Sequence, residues 1–185
     1  MPYIIALIVL FILIPVIIFN TLIARKNLVL SVFSTIDVLL KKRYDLVPNL
    51  VAAVKGYMQH ERTLLAEITE ARAKALSPTL SDDQMVQLDS ILTKALARLM
   101  VVVENYPNLK AVDSFMHLQR TLTELEEQIS AARRAYNAAV TDYNNAVEMF
   151  PTNIFASMMS YKRRPFFVIH EKERQNVDLA DRFKA

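Results

Sequence analysis

Residues that readily do chemistry are scarce in this chain. Covalent catalysis needs a nucleophile, a base beside it and a group that orients the base. There is no cysteine, so the nucleophile would have to be a serine, threonine or lysine. No Gly-x-Ser-x-Gly elbow, Gly-rich phosphate loop or His-Glu-x-x-His pair occurs, and a single glycine, Gly56, excludes most such loops. The three histidines are His60, His117 and His170. His60 neighbours Glu61, but adjacent helical residues point about 100° apart and share a ligand poorly. The sequence therefore assigns no catalytic, cofactor-binding or metal-ligating residue and expects no cofactor. A net charge of +3 is too mild to mark a nucleic-acid partner.

Charges that fall on apolar rows are more informative. Arg43 and Glu61 interrupt two otherwise apolar rows, and a buried charge needs a partner because desolvation costs several kcal/mol. Helix register suggests Arg133 as the partner of Glu61, in a salt bridge internal to the fold. A partner-binding site is the alternative. Tyr136-Asn137 and Tyr143-Asn144 repeat at seven, which puts both tyrosines in a core. The asparagines fall beside that core, where an amide caps a following helix or meets a partner. Lys41-Lys42-Arg43 reads as a solvated face. Lys162-Arg163-Arg164 with Phe166-Phe167 docks on lipid if the tail folds back. Met158-Met159 reads as core.

The elements that position these residues are helices. With one glycine the chain has few tight turns, so hairpin-rich sheets are excluded. From Tyr3 to Ala24 no charge occurs. About 22 residues at about 1.5 Å each span about 33 Å, close to the bilayer core of about 30 Å. Tyr3, Pro15 and Phe19 lie in this run, and Arg25 and Lys26 follow it directly. A cleaved signal peptide would need a basic start and a small-residue cleavage site, and neither is there. The run is therefore an uncleaved anchor. The positive-inside rule places the rest of the chain in the cytoplasm and the N-terminus outside, a single pass through the cell (inner) membrane.

Beyond the anchor, heptad rows define the bundle. Val29, Ile36, Leu50, Tyr57, Leu64 and Ala71 form one row, with Phe33, Leu40, Val47, Val54, Ile68 and Ala75 as its partner. They predict one long helix ending at Ser77-Pro78, kinked by Pro48, which lacks the amide that would bond the Tyr44 carbonyl. Ser81 and Gln84 form a capping box for a second helix, with a stripe from Met85 to Val103. Tyr106-Pro107-Asn108 stops it. The third helix has Phe115, Leu122, Ile129, Tyr136, Tyr143 and Phe150 seven apart throughout, and Pro151 ends it. Thr152 or Asn153 caps a short fourth helix through Tyr161.

Several of these segments together resemble the LemA family. They are Ile36-Asp37-Val38-x-Leu40-Lys41-Lys42-Arg43-x-Asp45-Leu46-Val47-Pro48-Asn49-Leu50-Val51, then Val54-Lys55-Gly56-Tyr57, His60-Glu61 and Tyr106-Pro107-x-Leu109-Lys110-Ala111. Phe115 with Leu118-Gln119, Arg133-x-x-Tyr136-Asn137, Val140-x-x-Tyr143-Asn144 and Phe150-Pro151 continue the likeness. It runs from about Asn27 to Phe167. It implies a membrane-anchored helical bundle of prokaryotic type and carries no assigned activity. Some relatives are associated with magnetosome membrane formation, and genes for others lie beside a membrane metalloprotease.

The expected architecture is all-α: a transmembrane anchor over 1–25, an up-and-down bundle of three long helices and one short over 26–167, and a charged tail over 168–185. The expected function is a non-enzymatic scaffold or adaptor, with membrane remodelling by an oligomeric array, or an undetected enzyme, as the rivals. Expected partners are the lipid bilayer, further copies of the chain and membrane proteins not identified by sequence. A returning helix of about 25 residues covers only part of the about 50 from Asn27 to Leu76. Val29, Phe33 and Ile36 are then left uncovered beside the membrane, where a contact between copies is expected, with the fourth helix or a folded-back tail as alternative covers.

Overall fold

The computed structural model describes residues 2–77 and 82–167, and six helices among them. These are α1 (Pro2–Lys55), α2 (Arg62–Ala75), α3 (Asp82–Val103), α4 (Pro107–Lys110), α5 (Asp113–Glu148) and α6 (Thr152–Met158). The chain is all-helical, as the heptad rows require. The putting-together differs from the sequence expectation in one large respect: the first bundle helix does not run on to Ser77.

It reverses instead. α1 ends at Lys55, residues 56–61 make a turn, and α2 runs back along α1. Buried Met58, 1 % exposed, plugs that turn, whereas Tyr57 leaves the apolar row and faces outward. The reversal is fixed by a consequence of Pro48. Proline at 48 removes the amide that would bond the Tyr44 carbonyl. Arg72 of α2 fills the gap, its Nε donating to Tyr44 O at 2.7 Å. Arg72 therefore lies level with Tyr44, which only an antiparallel α2 allows. Periodicity could not reveal the turn, because α1 and α2 pack on the same core and their rows continue in phase across it.

The rest of the topology follows. α3 runs parallel to α1: Arg98 of α3 pairs with Glu67 of α2 at 3.0 Å, and Asp89, two to three turns earlier, pairs with Arg43 of α1. α4 caps the far end through buried Leu109. α5 then descends along the whole of α1, with Glu126 against Arg43, the Tyr136 ring against Phe33 at 5.8 Å, and Ala146 in one cluster with Ile18 and Leu22. The bundle is thus α1 up, α2 down, α3 up and α5 down, with α6 at the foot.

This path corrects two sequence expectations. Val29 and Ile36 are fully buried and Phe33 packs against the core, so the three are covered within the chain and are not free for another copy. The covering element is α5, which the reversal at 56–61 sends down along this part of α1. The pairing of Glu61 with Arg133 also fails. Glu61 sits in the turn at the top, whereas Arg133 lies near the level of residue 36, about 30 Å lower along the axis, and is ion-paired with Asp89. Smaller corrections concern the ends. α5 stops at Glu148, before Phe150, which is 80 % exposed and not core. Pro151 is the cap position of α6, the Thr152 hydroxyl donates to Met149 O, and the helix ends at Met158. Ser81 and the tail over 168–185 lie outside the described residues.

Tyr3, Ile4, Ile5, Leu7 and the large apolar side chains from Val9 to Ile17 of α1 stand exposed beyond the bundle. Among the described residues α1 is the one helix long and apolar enough to cross a membrane.

The Arg72 contact gives a direct test of the reversal. Arg72→Ala is expected to lower stability by about 1–3 kcal/mol, since it strands a carbonyl that the helix itself cannot satisfy. In a Pro48→Ala background the backbone regains its own donor, and the loss should shrink. Chemical denaturation of the four variants measures the coupling. Equal losses in both backgrounds would separate the two residues.

Candidate functional site

Among the described residues, three places in the bundle gather several polar side chains in defined geometry. The first is a buried charge cluster between α1, α3 and α5. Arg43, 1 % exposed, enters the core from an apolar row of α1. Its Nη1 donates to Glu126 Oε2 at 2.7 Å and to Thr93 Oγ1 at 3.0 Å. Its Nη2 is ion-paired with Asp89, which is equally buried and also ion-paired with Arg133. One carboxylate thus lies between two guanidiniums, and a second carboxylate flanks the buried one. Burial pulls Arg43 below the ordinary guanidinium range, opposed by the charge of Glu126. The neighbouring Tyr44 hydroxyl is pushed up, again chiefly by burial. Two cations facing two anions leave no charge to offer a ligand, so the cluster's chemistry is internal: it sets the register of three helices.

Sequence reasoning found Arg43 but missed Asp89, Thr93 and Glu126. A signal for Asp89 was present. It stands four residues after Met85 and three before Leu92, on the same apolar row, so a lone acid in α3 faced a lone base in α1.

The second place is a strap. After α6 the chain from Tyr161 to Phe167 is neither helix nor strand and lies along α5. Asn144 Nδ2 donates to Arg164 O at 3.0 Å while Arg164 N donates to Asn144 Oδ1 at 2.9 Å. Asn137 does the same to Phe167, at 3.0 and 2.8 Å. Each carboxamide mimics a peptide group and pairs with the strap as a neighbouring strand would. The spacing matches: seven helical residues rise about 10.5 Å, and three extended residues cover about 10 Å. The asparagines therefore clamp the strap and do not cap α6. Above them Tyr136 meets Phe167 at 6.2 Å, the Arg133 guanidinium lies over the Phe167 ring at 5.1 Å, and Tyr143 meets Tyr161 at 6.3 Å.

The third place is the foot of the bundle, where the apolar part of α1 enters it. Arg25 Nη1 donates to Asp142 O at 2.8 Å, and Lys26 Nζ lies 4.8 Å from the centre of the Tyr161 ring. Arg163 pairs with Glu148 at 3.1 Å. Tyr3 and Phe19 are exposed and Pro15 is half-buried, all within α1.

Other residues singled out by sequence are dispersed. Asp45 pairs with Lys41 on the outer face of α1 at 2.9 Å, and Pro48 and Asn49 are exposed one turn further on. His60 and His117 are exposed on separate elements, and His170 lies outside the described residues. At the top, an open groove of about 800 Å³ runs between the end of α1 and α2, lined by Val51, Lys55, Met58, Gln59, Arg62 and Leu65 among others.

The LemA family matches residues 32–180. The match takes in the upper part of α1 and all the helices after it, and leaves out the exposed apolar run. Among curated proteins, magnetosome protein MamQ 2 of Paramagnetospirillum magneticum is 26% identical over 174 residues, covering 80% of this chain and 64% of the relative. Magnetosome protein MamQ of Magnetospirillum gryphiswaldense is 24% identical, covering 83% of the chain and 67% of the relative. Protein LemA of Metamycoplasma hominis is 26% identical, covering 88% and 74%. The chain thus spans about two thirds of the length of the magnetosome relatives it matches.

Proposed function

The chain belongs to the LemA family, and from that premise we propose that it is a non-enzymatic scaffold, tethered in the membrane by α1, that self-associates or recruits protein partners there. The observation that carries the reading is the continuity of α1. One helix of 54 residues is both the exposed apolar stalk and a wall of the bundle. No linker separates anchor from domain, so the bundle's stance on the bilayer is fixed by the helix itself. The charged residues held deepest in the core balance one another, which suits a rigid platform better than a reactive centre.

Residues 3–24 form the single span in this reading. Arg25 and Lys26 at its end favour a cytoplasmic bundle and an external N-terminus. Self-association uses outer faces of the stalk or bundle, since the rows at Val29 and Ile36 are filled. A second reading is membrane remodelling by an array of such bundles, favoured by the relatives named as magnetosome proteins.

Crosslinking in native membranes tests the scaffold reading. Photoreactive groups spread over the exposed faces, with one at Gln59 beside the upper groove, should give discrete protein adducts. If every face yields only lipid adducts, the chain is no scaffold. Orientation is read from Lys74→Cys in this cysteine-free chain. An impermeant maleimide should label it only after the cells are permeabilised, and labelling in intact cells would invert the topology.

A further inference from the structure

At the foot of the bundle the polarity of the surface does not match a domain standing clear of the bilayer. α5 ends and α6 begins in a corner that packs on α1 through Ala146 and Ala156 against Ile18 and Leu22. Ile18 and Leu22 belong to the charge-free run that ends at Ala24, so the corner sits beside the last two turns of the apolar stalk. The outer surface of that corner is strongly apolar. Met149 is 62 % exposed, Phe150 80 %, Ile154 52 % and Met158 78 %. These are four large side chains within ten positions, whereas the seam residues of α5 above them, Tyr136 and Tyr143, are buried. Basic side chains ring the next level up: Arg25 and Lys26 on α1, and exposed Lys162 where the strap begins, while Arg163 is ion-paired with Glu148 at the edge of the corner itself.

We propose that the α5–α6 corner is a second lipid contact, with Met149, Phe150, Ile154 and Met158 immersed in the near leaflet of the bilayer beside the anchor. The inference rests on the reading of α1 as a membrane span. Three arguments select lipid as the occupant. The corner's apolar surface is continuous with that of the stalk through the shared Ile18–Leu22 contact. Its depth is right: Ile18 lies about 9 Å and Leu22 about 3 Å inside the Ala24 end of the run, and amphipathic elements settle about 5–10 Å into the headgroup–acyl boundary. The sequence of polarity is also right, since apolar side chains end where a basic collar starts, and cytoplasmic leaflets present anionic headgroups to such collars. Because the corner enters one leaflet only, the protein is wider in that leaflet than in the other, a wedge in cross-section. The strap clamp at Asn144 then acquires a purpose: it ties Arg164, next to the collar, to the helix that delivers the corner.

The absence of cysteine makes the test direct. Single cysteines replace Phe11 and Ile17 in the stalk, Phe150 and Met158 in the corner, and Gln59 at the top. All are solvent-exposed or stalk positions, so labelling leaves the core intact. Each full-length variant carries a polarity-sensitive fluorophore and is reconstituted in phosphatidylethanolamine–phosphatidylglycerol vesicles with and without brominated acyl chains. The labels at 150 and 158 should lose emission to the bromines to about the extent seen at 17, with blue-shifted spectra and protection from aqueous iodide, while 59 shows the reverse. If 11 and 17 are quenched by lipid but 150 and 158 only by iodide, the corner stands in water and the proposal fails while the anchor survives. If neither quencher reaches 150 and 158, protein covers the corner, which also overturns it. If 11 escapes the bromines, the span itself is wrong and the corner contact falls with it.

Discussion

Asp89→Ala is expected to cost the fold about 3–5 kcal/mol, the largest loss from any single polar substitution in the bundle. The reason is what it leaves behind. Arg43 is 1 % exposed, so its guanidinium would keep only Glu126 and Thr93 as partners. Arg133, at 24 % exposure, can turn outward and lose less. Glu126 is 40 % exposed, so its pairing with Arg43 is partly screened and Glu126→Gln should cost much less. Removing both ends of the buried pair should be milder than removing one. Arg43→Met with Asp89→Leu replaces two desolvated charges by apolar volume, and such exchanges are often near neutral. Urea unfolding of the detergent-solubilised chain measures these three variants together with the single Arg43→Met and Asp89→Leu replacements. Losses that simply add in the double mutant would show that Arg43 and Asp89 do not depend on one another.

Ile36→Ala should cost about 2–5 kcal/mol, the usual range for opening a cavity at a fully buried aliphatic position. Ile36 is 0 % exposed, and Val29, two turns nearer the foot, is buried to the same extent. Both belong to the core that α1 shares with α5. The informative part is the dependence on concentration. A core residue lowers the unfolding midpoint equally at every protein concentration. A residue at a contact between copies lowers it most where the oligomer is populated and not at all where chains are dilute. Unfolding of Ile36→Ala over a wide range of protein concentration in detergent distinguishes them, and a loss that vanishes on dilution would return Ile36 to an interface.

The helical class, the apolar run and most of the core were legible because they depend on local periodicity. Leu40, Val47, Leu50, Val54, Leu64, Ile68, Leu92, Leu99, Leu122 and Ile129 all stand on the predicted rows and are all buried. What was not legible depends on direction and on ends. The rows of α1 and α2 stay in phase across the turn at 56–61, so nothing in the spacing marked a reversal. Both the expected Glu61–Arg133 pair and the expected exposure of Val29 and Ile36 rest on a helix that continues through that turn. Phe150 kept the heptad of α5, yet the helix stops two residues earlier, before Pro151, and the side chain turns outward. Met158 read as core for its chemistry alone, whereas α6 is short and buries only Ala156 fully. The asparagines at 137 and 144 stand out in the sequence by their repeat. Their partners are backbone groups of the strap, and backbone partners leave no trace in residue identity. Asp89 was the one recoverable omission, a charge on an apolar row like Arg43.

The proposed function requires the exposed apolar part of α1 to be a bilayer span with the bundle built directly on it. Alkaline carbonate washing of membranes from cells expressing the full chain tests this most directly, beside a variant lacking residues 3–17, which retains Ile18 and Leu22 as the seat of α6. The full chain should stay in the membrane pellet through the wash and the shortened chain should leave it. Release of the full chain into the alkaline supernatant would contradict the account.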